Sequence, residues 1–283
     1  MVLVDKRRTL LHVFGLALFL AILAYAIHKS PPQLGELYFG WFLVAVLAVL
    51  LVLCLQIIQT TIFIRVENLQ TPWIWAAWFT AEKAWLNNLV PAKAGTASAI
   101  ALLQLKFGVR WDRYLRFMLY AATLTASASI SGVILLARFD WISVVAAIFL
   151  YSFVSVLNLQ LYRLPFRMMF LMSLLGIVQL VILTLGLGAC LIGLGYLTEW
   201  RDVFFAGISL NLLSIVSITP GNFGIRELVL AWVSQLTQAS FSEVIQASTC
   251  FVFIRLIASV ILAGAVRPFA LQVKGGDSKV KVD

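Results

Sequence analysis

Long apolar segments constrain the fold of this chain more than any other feature. Ten apolar runs follow one another, at approximately 10–28, 38–64, 73–91, 94–105, 114–137, 141–161, 171–197, 203–219, 223–238 and 244–266. A helix needs about 20 apolar residues to cross a hydrocarbon layer of about 30 Å, and we interpret six of the runs as complete spans. Only 12% of the residues are charged, against about a quarter in a soluble domain. The pattern predicts an all-α, polytopic membrane protein with about six full spans.

The other four runs form two consecutive pairs, the third with the fourth and the eighth with the ninth. A Pro-x-x-x-Gly segment interrupts each pair, Pro91 to Gly95 in the first and Pro220 to Gly224 in the second. The two segments stand 129 residues apart, since 220 − 91 = 129. Because proline and glycine interrupt helices, we expect a broken or re-entrant helix pair at each place.

The offset of 129 residues also relates other landmarks of the chain. It maps Tyr114 onto Glu243 at the start of two spans, and Arg138 onto Arg267 at their ends. We therefore predict two structurally repeated halves. The predicted divisions are an N-terminal helix and loop over 1–37, a first half over 38–140, a linking helix over 141–170, a second half over 171–268 and a tail over 269–283.

The basic residues predict the orientation of the chain. They form short clusters between apolar runs, which favours contact with lipid headgroups and no nucleic-acid partner. If Lys6 is cytoplasmic and each broken pair enters and leaves on one side, the cytoplasmic regions hold fourteen basic residues and the opposite side three. The fourteen are Lys6, Arg7, Arg8, Arg65, Lys106, Arg110, Arg113, Arg116, Arg163, Arg167, Arg267, Lys274, Lys279 and Lys281, and the three are Lys29, Arg138 and Arg201.

This bias predicts a multi-pass protein of the inner (plasma) membrane with both termini in the cytoplasm. It also makes the two halves antiparallel, which is the inverted-repeat plan of many transporters. The same charge count results if each broken pair crosses fully and returns. Re-entrant pairs and full spans therefore both remain open.

Charged residues at the two breaks predict a site for a phosphate. A helix that restarts after a break presents free N–H groups to an anion, and a cation lies close to each break. Charges inside apolar runs should also face inward, because they are costly in lipid. The predicted headgroup-binding residues are Lys93, Arg226, Arg255, Asn222 and Asn88; Glu82, Lys83 and Glu227 balance charge or gate access; the breaks are Pro91, Gly95, Pro220, Gly221 and Gly224.

Arg255 has no acidic neighbour three or four residues away, so we expect Glu227 or Glu82 as its partner. A purely structural buried ion pair is the alternative. We expect most of the tryptophans that open the first broken pair, Trp73, Trp75, Trp78 and Trp85, to be interfacial anchors.

Enzyme motifs are missing from the sequence. It contains no His-rich metal site, no Gly-x-Ser-x-Gly elbow and no P-loop, and its two histidines, His12 and His28, flank the first run. We predict no enzyme activity, no catalytic residue, no metal and no cofactor.

The segment from Ser217 to Glu227 resembles the transmembrane, flippase-like region of lysylphosphatidylglycerol synthases. That family carries a Pro-Gly-x-x-Gly-x-x-Glu pattern, which Pro220, Gly221, Gly224 and Glu227 fit. The segment from Leu89 to Gly95 is similar to its first motif, which often continues with an acid where this chain has Thr96. The synthase domain is absent, so the resemblance is to a stand-alone member. It implies translocation of a phospholipid or polyprenyl-type lipid between leaflets.

The leading hypothesis from the sequence is therefore a flippase-like transporter of an anionic phospholipid or polyprenyl-type lipid. Its expected partners are membrane lipids, a lipid-pathway enzyme such as a glycosyltransferase, and a second copy in a homo-oligomer. The alternative is a non-transporting accessory subunit that presents a lipid to a partner enzyme. A membrane enzyme with Glu227 or Glu82 as base ranks lowest.

Overall fold

The computed structural model describes residues 37–89, 94–137, 140–162, 166–196, 199–215, 225–236 and 240–271, with positions 24, 27 and 28. These residues form helices joined by short loops, and no strand occurs among them, which confirms the all-α prediction. The helices are α1 (Phe39–Val66), α2 (Trp73–Leu89), α3 (Ala94–Phe107), α4 (Trp111–Ala137), α5 (Trp141–Tyr162), α6 (Phe166–Gly193), α7 (Trp200–Ile215), α8 (Ile225–Leu236) and α9 (Phe241–Leu271).

Four of these helices, α1, α4, α6 and α9, are long and apolar enough to cross a membrane. Helix α5 coincides with another predicted run, and its apolar part Trp141–Leu157 is shorter than a full span. The predicted first helix over 10–28 lies almost entirely outside the described residues. Large apolar side chains such as Leu43, Leu47 and Phe149 are exposed on the outer faces. Since a soluble monomer rarely exposes so much apolar surface, the structure supports a membrane protein.

Helices α1 and α6 pack against each other in opposite directions. The backbone N–H of Tyr38 before α1 donates to the carbonyl of Gly193 at the end of α6, at 3.1 Å. Further along, a Cβ added at Gly186 would lie 2.6 Å from the Phe251 ring and 3.1 Å from the Cβ of Ala48. Glycine at position 186 thus allows α1, α6 and α9 to approach closely.

The remaining helices surround this pair in a regular pattern of neighbours. Helix α2 packs against α1 and α9, and α7 packs against α6 and α4. Helices α2 and α3 form one hairpin and α7 and α8 another, with α3 touching α4 and α8 touching α9. Helix α4 also contacts α6, and α9 contacts both α1 and α6. Helix α5 lies against α4, with a smaller contact to α6.

Buried side chains form two clusters at opposite ends of the bundle. The Trp75 cluster joins the end of α1, the start of α2, helix α3, the start of α4 and the end of α9, and contains Trp75, Phe79, Leu103, Tyr114 and Ala270. The Cys190 cluster joins the start of α1, the end of α6 and the starts of α7 and α9, and contains Val49, Leu187, Cys190, Val203 and Ile245.

Two of the four tryptophans that open α2 are core residues, which corrects the expectation that most are interfacial anchors. Trp75 is fully buried and Trp78 is 8% exposed, whereas Trp73 is 68% exposed. The Trp75 ring stacks on Phe79 and meets the edge of Phe107, with both pairs of centroids 4.9 Å apart. These rings hold the start of α2 against the end of α3.

Candidate functional site

The first predicted break is built around Gly95 and Asn87. The backbone N–H of Thr96 donates to Asn87 Oδ1 at 3.0 Å, and Asn87 Nδ2 donates to Thr96 Oγ1 at 3.2 Å. A Cβ at Gly95 would collide with the backbone oxygen of Lys83 and with Asn87. Helices α2 and α3 therefore cross at a point where only glycine fits. Asn87 also satisfies one of the free N–H groups at the start of α3.

The α2–α3 hairpin is short and has both of its ends at the same end of the bundle. Trp75 near the start of α2 contacts Phe107 at the end of α3, while Gly95 lies against the other half of α2. Helix α2 has 17 residues and is therefore about 25 Å long at about 1.5 Å per residue. Helix α3 has 14 residues, or about 21 Å. Both are shorter than a hydrocarbon layer of about 30 Å.

Lys83 and Glu82 are adjacent in sequence but bind different partners. Lys83 Nζ donates to the Tyr114 hydroxyl at 3.3 Å, lies 3.9 Å from the Met118 sulfur and 6.0 Å from the centroid of the Tyr114 ring. Glu82 accepts a hydrogen bond from Trp85 Nε1 at 3.0 Å. Among the ion pairs between described residues, neither residue takes part. Lys83 therefore has an uncharged aromatic and thioether environment on the side of α4.

Arg255 lies half-buried in the middle of α9. The ion pair expected between Arg255 and Glu82 is absent: within the described part of the chain, no carboxylate comes within 4.0 Å of the Arg255 guanidinium. Glu82 is oriented by Trp85 instead, which explains the difference. The side chain of Glu227, the other candidate partner, lies outside the described residues.

The packing of α9 on α2 sets the depth of Arg255. Val266 and Ala270 near the end of α9 belong to the Trp75 cluster, at the start of α2. Ala84, in the second half of α2, packs instead against the Cys190 cluster, together with Ile254 from the middle of α9. The two helices thus run in opposite directions. Arg255 lies level with the second half of α2, which also carries the half-buried Asn88 and leads into the first break.

The second predicted break falls between α7 and α8. Helix α7 ends at Ile215 and α8 begins at Ile225, directly after the second Pro-x-x-x-Gly segment. The ring of Phe205 in α7 lies 6.2 Å from that of Trp232 in α8. Arg226 and Glu227 occupy the first turn of α8, but their side chains are outside the described part. The same holds for all atoms of Pro91, Lys93, Pro220, Gly221, Asn222 and Gly224.

Hydrogen bonds between polar side chains of different elements are a feature that sequence reasoning missed. The hydroxyls of Thr60 in α1 and Thr80 in α2 lie 2.8 Å apart. In the loop after α6, the Tyr196 hydroxyl donates to Gln246 Oε1 at 2.7 Å. Burial, with a further contribution from the nearby Glu243 carboxylate, raises the pKa of Tyr196, so the phenol stays a donor at neutral pH. The only sign of these hydrogen bonds in the sequence is the presence of single threonines and glutamines within apolar runs.

The basic loop around the start of α4 is paired with acids at the surface. Arg110 and Arg116 both contact Asp112, at 3.0 and 3.6 Å, and Arg113 contacts Glu67 at 3.0 Å. Each of these arginines is mostly exposed, so the pairs contribute little to stability. In the described residues, no group of three or more His, Cys, Asp or Glu side chains could hold a metal ion.

No protein-family model matches this chain, and no curated protein is similar enough to count as a match. The resemblance to the flippase-like region of lysylphosphatidylglycerol synthases therefore stays a prediction from the sequence motifs.

Proposed function

We propose that this chain is a flippase-like transporter that moves an anionic phospholipid or polyprenyl-type lipid between the leaflets of the inner membrane. The headgroup phosphate binds near the two helix breaks, where Lys93, Arg226 and Arg255 attract it. The motif resemblance and the apolar helices support this function. The proposed function involves no enzyme activity and no cofactor.

The observation that carries the proposal is the environment of Arg255. A cation in the middle of a candidate span costs at least about 2.5 kcal/mol if it faces lipid, so it needs a polar or anionic partner. No carboxylate among the described residues lies within 4.0 Å of it. Its depth matches the half of α2 that leads into the first break. A lipid phosphate that reaches this level would supply a negative charge to Arg255.

The neighbour pattern of the helices supports the inverted repeat that this mechanism needs. The repeat would pair α1 with α6, α2 with α7, α3 with α8 and α4 with α9. Under this pairing, the α2–α9 contact corresponds to α7–α4, the α1–α2 contact to α6–α7, and the α2–α3 contact to α7–α8. The α3–α4 contact likewise corresponds to α8–α9, and the α4–α6 contact to α9–α1. The α6–α9 contact has no equally close counterpart between α1 and α4. The antiparallel α1–α6 pair then lies on the pseudo-two-fold axis, and α5 is the linking helix outside the repeat.

The short hairpins favour re-entrant pairs over full crossings. Helices of about 25 Å and about 21 Å are shorter than the hydrocarbon layer, which favours a hairpin that enters and leaves on one side. Backbone groups at the tip of such a hairpin must be satisfied by protein or water. The Asn87 and Thr96 hydrogen bonds do this for part of the first break. Under this proposal, a phosphate would bind further N–H groups at the start of α3.

Substitution of Arg255 tests the proposal. The protein is reconstituted in phosphatidylcholine vesicles that contain fluorescent phosphatidylglycerol, and movement between leaflets is followed with a membrane-impermeant quencher. We expect Arg255→Leu to slow lipid movement by about tenfold or more, because a charge-assisted hydrogen bond contributes about 1.5–3 kcal/mol. Arg255→Lys should retain part of the rate, since it keeps the charge.

Arg267→Leu is the matched control, because Arg267 is exposed near the end of the same helix. An Arg255→Leu variant that folds and moves lipid as fast as Arg267→Leu would remove Arg255 from the mechanism. A wild-type protein that retains labelled lipid but does not move it would favour the accessory-subunit role.

A further inference from the structure

A cavity of about 390 Å³ lies between α4, α5, α6 and α7. Its volume falls in the range of about 300–1,000 Å³ that is typical of ligand pockets. Small residues on α4 and α5, namely Ala128 and Ala147, line it and leave space that larger side chains would fill, while Gly132 lets Ile208 of α7 pack closely against α4. The cavity is therefore created by residue size at the contact between these helices.

Three of the four hydroxyl groups in the wall of the cavity have a hydrogen-bond partner, and the fourth, that of Ser152, lies on its exposed side. Ser131 Oγ donates to the carbonyl of Ala147 at 3.0 Å, and Thr184 Oγ1 to the carbonyl of Leu180 at 2.9 Å. The Tyr151 hydroxyl donates to the carbonyl of Ser173 at 3.5 Å, beyond the usual length of such a bond. Most of the other lining side chains are aliphatic or aromatic. Such a wall suits an apolar occupant, because engineered apolar cavities of this kind bind hydrocarbons rather than water.

The rim of the cavity is continuous with the lipid-facing surface of the protein. Ile148 on α5 is 62% exposed and Val181 on α6 is 40% exposed, and both line the cavity. Helices α4 and α6 are candidate membrane spans over Trp111–Leu136 and Phe170–Gly193, so the cavity lies within their apolar stretches. A lipid chain from the surrounding bilayer can therefore enter it without crossing a polar surface.

We propose that this cavity holds one hydrocarbon chain of a membrane lipid, which under the proposed function is the transported lipid. Helix α7 connects the cavity to the second break: Ile208 lines the cavity, and α7 ends seven residues later at Ile215. Seven residues correspond to about 10 Å of helix. A lipid with its phosphate at the second break would extend its chain along α7 into this space.

Photo-crosslinking tests the chain site. The full-length protein is reconstituted in phosphatidylcholine vesicles that contain phosphatidylglycerol with a diazirine in the middle of one acyl chain, and adducts are mapped by peptide mass spectrometry. We expect adducts to concentrate on cavity residues of α4–α7. Ala128→Phe fills the cavity and should reduce these adducts several-fold. Ser152→Phe narrows the exposed rim of the cavity and should also reduce these adducts. Because Ser152 is exposed, this substitution should disturb folding less than Ala128→Phe does.

Ala146→Phe is the matched control, because Ala146 is a lipid-exposed alanine of α5 outside the cavity, and its adducts should match those of the wild type. Adducts spread evenly over exposed faces such as Leu43 and Leu47 of α1 would overturn the inference. Adducts found only outside the cavity would also overturn it, because another part of the chain or a second copy of the protein would then fill the cavity.

The transport assay separates this inference from the proposed function. Concentrated cavity adducts without lipid movement would support the chain site and overturn transport. Lipid movement that depends on Arg255, together with unchanged adducts in Ala128→Phe and Ser152→Phe, would overturn the chain site alone.

Discussion

At the scale of single residues, the first break depends on three neighbours that act together. Gly95 allows α3 to cross against the backbone oxygen of Lys83, and Asn87 binds both the N–H and the hydroxyl of Thr96. Thr96 stands where the resembling family often has an acid. Here the residue acts as a hydrogen-bond partner within the hairpin, so this position carries no charge toward a headgroup.

Gly95→Ala should destabilise the protein measurably. The new Cβ collides with backbone as well as with Asn87, and backbone cannot move as a flexible side chain can, so we expect a loss of about 1–3 kcal/mol. The measurement is the unfolding transition of the purified protein in detergent. Gly264→Ala is the control, because nothing lies within 4 Å of a Cβ there and alanine favours a helix. Equal transitions for the two variants would contradict the tight crossing.

Asn87→Ala should also destabilise the hairpin, since it leaves the Thr96 N–H and hydroxyl without this partner. The expected cost is about 1–3 kcal/mol, because two hydrogen bonds between partly buried groups are lost and each contributes about 0.5–1.5 kcal/mol. A double-mutant cycle with Thr96→Val measures the coupling, which should exceed about 0.5 kcal/mol for residues in direct contact. Additive effects of the two substitutions would show that the bonds do not hold the break together.

Sequence reasoning expected Gly95 at a helix break and Arg255 facing inward, and it misplaced two tryptophans. Of the two partners expected for Arg255, Glu82 binds Trp85 instead. Gly95 lies in the first turn of α3, where it allows a close approach to α2, and the sequence did not separate this packing role from a helix break. Tryptophan suits both a membrane interface and a buried contact, and sequence alone does not tell which face of a hairpin is covered. Which carboxylate can approach Arg255 depends on the directions of side chains on neighbouring helices, and residue spacing in the sequence does not show these directions.

At the scale of helices, the sequence predicted the elements well because each apolar run is bounded by breakers or charges. The observed bounds of α1, α4 and α9 lie within a few residues of the predicted runs. The α2–α3 and α7–α8 pairs also separate where the two Pro-x-x-x-Gly segments stand. The cavity between α4 and α7 was not predicted, because it depends on how small residues from four helices meet.

The α2–α3 hairpin predicts that the loops on either side of it lie on the same side of the membrane. In a background with Cys54, Cys190 and Cys250 replaced by alanine, we expect Asn68→Cys and Arg110→Cys to react with an impermeant thiol reagent from one side. Glu199→Cys should react from the other side, because the end of α6 lies at the opposite end of the bundle. Reaction of Asn68→Cys and Arg110→Cys from opposite sides would contradict the hairpin.

At the scale of the whole molecule, the proposed repeat rests on which helices contact each other rather than on residue identity. The offset of 129 residues predicted which helices correspond, and the packing pattern follows that correspondence for most contacts. It did not predict that α6 also packs against α9, nor where the linking helix α5 would lie. These depend on which apolar faces fit best once the helices are formed.

The most direct measurement of the central claim is the movement of fluorescent phosphatidylglycerol in vesicles that contain the wild-type protein. In protein-containing vesicles, we expect labelled lipid from the inner leaflet to move to the outer leaflet, where the impermeant quencher removes its fluorescence. In protein-free vesicles, only the label that starts in the outer leaflet should be quenched. The Arg255→Leu vesicles should resemble the protein-free ones over the same time. Equal quenching with and without the wild-type protein, when the protein is folded and inserted, would contradict lipid transport.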